Sequence, residues 1–135
     1  MAISDSQANG VIKYKEGTTT VKVEEAVKLG DAIGWSSGWV RALATVATAI
    51  QQRYIACEDG AAEQEIEVAV EVVLAGERLS GGTRGAALYV AEGTDYGEYT
   101  ETAPTTTGDC DKIVGYMLSA TRAYLNPGVV DDSTA

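Results

Sequence analysis

Short segments in which apolar and polar residues alternate dominate this sequence and constrain its fold more than any other feature. In the clearest segment, residues 65–72, one face would carry Ile66, Val68, Val70 and Val72, and the other Glu65, Glu67, Ala69 and Glu71. Because successive side chains of a β-strand point to opposite faces, this pattern predicts a strand with one dry face and one wet, acidic face.

Similar alternating or apolar segments recur along the chain, at residues 11–15, 18–23, 54–57, 86–90, 98–102, 112–118 and 122–125. Glycine-containing turn signals separate them, among them Gly17, Asp59-Gly60 and Gly81-Gly82. Many short strands at close spacing predict a mainly β domain, built as a small β-barrel or a sandwich.

Residues 41–53 depart from this pattern. Their apolar positions fall at helical spacing, at Leu43, Val46, Ala47 and Ile50. The alanines of this stretch favour a helix, whereas the β-branched Thr45 and Thr48 weaken it. We therefore expect either one short helix over residues 41–53, as the single helix of the domain, or an irregular crossover.

The two ends of the 135-residue chain differ in composition from its middle. Residues 1–10 are small and polar without any period, which predicts a flexible N-terminal arm that contributes little to folding. Asn126-Pro127-Gly128 stops the last predicted strand. Residues 11–126 are therefore expected to form a single β-rich domain, followed by a C-terminal tail at residues 127–135.

The chain is strongly acidic, with 20 Asp and Glu against 10 Lys and Arg and a net charge of −10. Such a surface repels phosphate, which argues against nucleic acid as a partner. A run of about 18 apolar residues, as a membrane span requires, does not occur, and the N-terminus lacks the features of a signal peptide. We therefore expect no membrane partner.

The chain contains no histidine, which excludes catalysis and metal binding that depend on imidazole. Carboxylates flank both cysteines, in residues 57–59 and 109–111, and indicate solvated turns or, if the two loops meet, a calcium site. The glycine-rich residues 81–85 lack the lysine of a phosphate loop. We expect no catalytic residues, no metal and no cofactor, so the protein is predicted not to be an enzyme.

Cys57 and Cys110 are too few for a disulfide framework, and either pair with each other or remain as two buried thiols. Trp35 and Trp39 lie in one tight turn. Aromatic side chains near loops anchor partner proteins or stack on sugars, and they equally cap the end of a barrel.

Several segments follow one another between residues 10 and 127: Leu29-Gly30-Asp31-Ala32-Ile33-Gly34, Gly38-Trp39-Val40-Arg41-Ala42, the hairpin-like residues 54–60 leading into strand 66–72, Gly85-Ala86-Ala87-Leu88-Tyr89-Val90, the Thr-rich loop 100–107 and Ile113-Val114-Gly115-Tyr116-Met117-Leu118-Ser119. Their order and spacing resemble the small capsid decoration, or cement, proteins of tailed bacteriophages and related viruses.

This resemblance implies a compact β-barrel-like or β-tulip fold and no catalytic residues. It also implies a structural virion protein, made in the host cytoplasm, that sits on the outer capsid surface as a homotrimer. There it would stabilise the shell by clamping neighbouring subunits of the major capsid protein, which is the expected partner besides the chain itself.

We predict two groups of partner-binding residues: Ile3, Val11, Ile12 and Tyr14 near the N-terminus, and the pair Trp35 and Trp39. An extended segment such as residues 1–15 can add a strand to the sheet edge of a partner. The alternative function is a viral fibre or knob-type module that recognises glycan or a host surface through its exposed aromatic residues. A small hydrolase would instead require carboxylates with raised pKa values.

Overall fold

The computed structural model describes residues 3, 5, 9–128 and 132–135. Over these residues the chain forms nine strands: β1 (Val11–Lys22), β2 (Ala32–Trp35), β3 (Trp39–Arg41), β4 (Gln52–Ala56), β5 (Glu65–Ala75), β6 (Ala87–Val90), β7 (Tyr99–Thr100), β8 (Gly115–Ser119) and β9 (Arg122–Leu125). Two 3-10 turns, Val46–Thr48 and Glu77–Leu79, complete the secondary structure. The predicted mainly β fold is confirmed.

The long strand β5 organises a single antiparallel sheet. Strand β1 pairs with β5 along its whole length on one side. On the other side, β4 pairs with β5 as far as Ala69, and β9 pairs with it from Val72 onward. Two branches therefore leave the same side of β5, in the orders β4-β2-β3 and β9-β8-β6-β7.

The two branches enclose the main core, although the described sheet is not closed into a barrel. Loops join the branches instead: the amide of Ala32 donates to the carbonyl of Gly97 at 2.9 Å, and the amide of Ala44 donates to that of Ala91 at 2.9 Å. These bonds satisfy backbone groups that a closed ladder would otherwise have paired.

A second, smaller hydrophobic cluster covers the opposite face of the first branch. In β2, Ala32 packs in the main core and Ile33 in the second cluster. In β4, Ile55 packs in the main core and Ala56 in the second cluster. Because alternate residues of a strand face opposite sides, both faces of this branch are dry.

Strand β5 does not keep the uniform dry face that its sequence predicts. Buried side chains lie at Ile66 and Val68 in the second cluster, and at Ala69, Val72 and Leu74 in the main core. Val70 is only half-buried. The assignment of Val70 to the dry face and Ala69 to the wet face is therefore wrong, although Ile66, Val68, Val72 and Leu74 keep the predicted alternation on both sides of this point.

Gly17 lies inside β1 and does not form the predicted turn. Its φ of 68° is in the left-handed region, and a Cβ atom at this position would lie 2.3 Å from Cγ2 of Val70. Glycine therefore lets β1 pass close over the half-buried valine and continue as one strand.

Residues 41–53 form the irregular crossover, which is one of the two predicted alternatives, and not the short helix. Strand β3 ends at Arg41, and the amides of Leu43 and Ile50 donate to each other's carbonyls at 3.2 and 2.9 Å. The Val46–Thr48 turn lies in the loop that this bridge closes, and β4 begins just after Ile50. Long-range backbone bonds and the burial of Leu43 replace the local bonds that a helix would make.

The described residues near both termini contact the domain. In the predicted arm, Ile3 packs against the main core and the side chain of Asp5 is buried. Residues 1, 2, 4 and 6–8, on which the rest of that prediction falls, lie outside the described residues. In the predicted tail, Thr134 forms a bridge with Cys110, and Asp132 forms an ion pair with Arg53. None of the helical turns of the described residues is long and apolar enough to span a membrane.

Candidate functional site

The outer edge of β1 is available for a partner strand. Over the described residues β1 pairs with β5 alone as far as Lys22, and most of its side chains are exposed. The next residue, Val23, forms a parallel bridge with Trp39 of β3, which ends the free edge. An edge of this length presents a row of backbone donors and acceptors to which another chain can add a strand. Three lysines also lie along β1, at Lys13, Lys15 and Lys22.

A row of side chains on the outer face of the sheet begins at this edge. Tyr14 of β1 is opposite Val73 of β5, Val73 is opposite Tyr124 of β9, and Tyr124 is opposite Tyr116 of β8. Directly opposed residues share one face of a sheet, so these four residues form a continuous stripe. We call it the tyrosine face.

The tyrosine rings are fixed by contacts within the sheet. The rings of Tyr116 and Tyr124 have centroids 5.4 Å apart. The Tyr14 hydroxyl donates to Glu16 at 2.9 Å, and the Tyr124 hydroxyl donates to Glu71. These hydrogen bonds to carboxylates raise the pKa of both phenols, so both remain neutral donors at physiological pH.

Trp35, Trp39 and Tyr54 form a second aromatic group, which we call the tryptophan patch. The ring centroids are 5.3 Å apart in each successive pair, and both pairs are packed edge to face. Trp39 and Tyr54 pack against the second cluster, whereas Trp35 remains 60% exposed. Trp39 thus caps a hydrophobic cluster, and Trp35 presents its ring to solvent.

A buried ion cluster fastens the N-terminal segment to the domain. The Arg78 guanidinium lies 3.1 Å from the carboxylate of Asp5 and 2.7 Å from that of Asp31. It also donates to the carbonyls of Leu29 at 2.9 Å and Gly97 at 2.8 Å. Burial alone would lower the pKa of Arg78, but the two carboxylates raise it, so the guanidinium stays charged.

Beside this cluster, a surface cavity of about 380 Å³ opens between the N-terminal segment and residues 91–102. Four carboxylates line it, those of Asp5, Glu92, Asp95 and Glu98. Burial and the neighbouring charges of Asp5 and Asp95 raise the pKa of Glu98 to about 7. Among the described residues, no group of three or more thiol and carboxylate side chains is placed to hold a metal ion.

Both cysteines are free thiols, so the unpaired alternative holds. Burial, together with the charge of Glu67, raises the pKa of Cys57 to about 11. Burial also raises the pKa of Cys110. Thiols of this kind stay protonated at neutral pH and are weak nucleophiles.

The structure divides the predicted partner-binding residues among three places. Tyr14 lies on the tyrosine face and Val11 beside it, while Ile12 turns inward against the main core. Ile3 also packs against that core, and its amide donates to Glu101 at 3.0 Å. Trp35 and Trp39 lie apart, in the tryptophan patch.

Sequence reasoning missed Tyr116 and Tyr124 as surface residues. Alternation along the two strands could have indicated their exposure, because each tyrosine stands between two apolar residues that are buried on the opposite face. These are Gly115 and Met117 in β8, and Ala123 and Leu125 in β9. The pairing of β9 with β5, which completes the row, has no local sequence signal.

Comparison with models of known protein families, with curated proteins and with solved structures finds no match to this chain.

Proposed function

We propose that this protein is a structural virion protein that decorates the outer surface of a viral capsid and stabilises the shell. The proposal rests on the resemblance of its ordered segments to capsid decoration proteins. The structural observation that supports it best is the exposed outer edge of β1, a ready surface for a strand of the major capsid protein.

Backbone hydrogen bonds along β1 would supply affinity, and its lysines would favour an acidic partner strand. Lys15 already forms an ion pair with Glu67, and Lys22 forms one with Glu63. Among the described residues, Lys13 makes no ion pair. On a symmetric shell many copies bind at once. Weak individual contacts then sum to a stable clamp, and the copies are proposed to act as homotrimers made in the host cytoplasm.

Co-sedimentation with expanded capsids that lack this protein tests the proposal. The wild-type chain should bind to saturation and raise the temperature at which the capsids open. Lys13→Glu should weaken binding, whereas Arg84→Glu, the same charge change in an exposed loop, should not. A wild-type chain that stays in the supernatant would overturn the proposal.

The tryptophan patch supports the alternative, a viral binding module for glycan. Trp35 offers an exposed ring of the kind that stacks on sugars. Glycan-array binding by the wild-type protein that is lost in Trp35→Ala would favour this function. Binding of neither protein to the array would leave capsid decoration as the better proposal.

A further inference from the structure

Exposed apolar side chains extend the tyrosine face on the same side of the sheet. Val11 and Leu118 point outward because their neighbours Ile12 and Met117 pack in the main core. Their exposed fractions are 51% and 36%, beside 48% for Tyr14 and 45% for Tyr116. A contiguous apolar surface of this kind marks a contact site for another protein. We infer that the tyrosine face is the surface at which two copies of this chain meet.

The charges around the tyrosine face favour a second copy of the chain as the occupant. Arg122 flanks the row at one end of the strands, near the bulge in β1 that carries Lys13, and Glu16 and Glu71 flank it at the other end. These two positive and two negative side chains give the surroundings of the tyrosine face no net charge, whereas the whole chain carries a net charge of −10. Two identical acidic molecules repel each other over most orientations, and a neutral apolar face minimises that repulsion.

The hydrogen bonds of the tyrosine face also suit burial. A buried hydroxyl without a partner costs free energy, which weakens many tyrosine contacts. The hydroxyls of Tyr14 and Tyr124 already donate within the same copy, to Glu16 and Glu71. The rings can therefore be covered by another copy without leaving these two donors unpaired.

The edge of β1 is a poorer surface for self-association than the tyrosine face. Lysines on an exposed edge strand discourage pairing between identical sheets, and β1 carries Lys13, Lys15 and Lys22. The edge thus remains available to a different partner while the face contacts another copy. A face that meets the same face of another copy makes a two-fold pair, so this contact is additional to the contacts of the proposed homotrimer. Its test needs no capsid, so the two proposals can fail separately.

Sedimentation velocity of the purified full chain tests the inference. The 14.1 kDa wild-type chain should associate beyond the monomer as its concentration rises. Tyr116→Glu should weaken this association by at least about tenfold, with Tyr14→Glu as a second variant if Tyr116→Glu does not fold. Trp35→Glu, an equal change at an exposed aromatic residue of the tryptophan patch, should associate like the wild type.

Sodium chloride provides an independent readout. An apolar contact between two acidic molecules should strengthen as salt screens their repulsion, whereas a contact held by ion pairs should weaken. A wild-type chain that remains monomeric at about 100 μM overturns the inference. Association unaffected by either tyrosine substitution, lost in Trp35→Glu, or weakened by salt overturns it equally.

Discussion

The carboxylate of Asp5, close to the N-terminus, is buried against a charged partner. Its contact with Arg78 spans 73 positions of the sequence. Removing one member of a buried ion pair leaves the other charge uncompensated, at a cost of about 3–5 kcal/mol. Arg78 keeps Asp31, so we expect Asp5→Ala to lower the free energy of unfolding by about 3 kcal/mol, measured by urea denaturation.

Glu63→Ala is the matched control, since it removes a carboxylate from the exposed pair with Lys22. A solvent-exposed ion pair contributes at most about 1 kcal/mol. Equal losses in Asp5→Ala and Glu63→Ala would show that Asp5 does not hold the N-terminal segment to the domain.

Glu98 gives the stability of the domain a specific pH dependence. Its pKa is raised to about 7 in the folded protein, chiefly by burial, above the value of about 4.3 for an unperturbed glutamate. The folded state therefore binds this proton more tightly than the unfolded state, and stability falls as the pH rises from about 4.3 through 7. Glu98→Gln should raise the melting temperature at pH 8 and leave it nearly unchanged at pH 4.5.

The melting temperatures of the wild type and Glu98→Gln are compared across this pH range. Because other acids titrate in both proteins, the difference between the two curves isolates Glu98. If the difference in melting temperature stays constant with pH, the ionisation of Glu98 is not the cause of the change in stability.

Local sequence does not reveal these residue-level contacts. Arg78 lies in a short polar turn, and its partners Asp5, Asp31 and Gly97 come from separate parts of the chain. The missed Tyr116 and Tyr124 become neighbours only when β8 pairs with β9. Residue type suggested aromatic contacts at Tyr14, Trp35 and Trp39, but strand pairing decides which of these side chains share a surface.

The glycine at position 17 allows β1 to continue as one strand from Val11 to Lys22. Any side chain there would have to adopt a φ of 68° and would meet Val70 at 2.3 Å. Gly17→Ala should therefore cost more stability than left-handed strain alone, which is about 1–2 kcal/mol. Chemical denaturation measures the loss, and adding Val70→Ala should recover part of it.

Gly85→Ala separates backbone strain from the steric clash. Gly85 has a φ of 84°, but a Cβ atom there would meet nothing within 4 Å. The two substitutions share the strain and differ in the clash with Val70. If they cost the same, the close passage of β1 over β5 is not what requires glycine.

The sequence predicts strands well where one face is dry and the other wet. The segments around β1, β4, β5, β6, β8 and β9 were all expected from alternation or apolar runs. Alternation fails at one point of β5, where Ala69 packs in the main core because two different strands pair with successive parts of β5. Helical spacing at residues 41–53 misleads for a related reason, since Leu43 and Ile50 are brought together by an extended bridge.

The excess negative charge of the chain opposes folding. A net charge of −10 on 135 residues produces self-repulsion in the compact state. The exposed ion pairs, such as Lys22–Glu63, offset little of it, because each contributes at most about 1 kcal/mol.

Screening should therefore stabilise the domain. Raising sodium chloride from about 10 to 150 mM shortens the Debye length from about 30 to 8 Å, which weakens repulsion among the many acids more than it weakens close pairs. We expect the melting temperature, measured by circular dichroism at pH 7, to rise by a few degrees. The double variant Glu65→Gln and Glu77→Gln, which removes two exposed negative charges, should melt higher in low salt and gain less from added salt. A melting temperature that falls as salt is added would show instead that surface ion pairs outweigh the net repulsion. In that case the double variant would not melt higher than the wild type in low salt either.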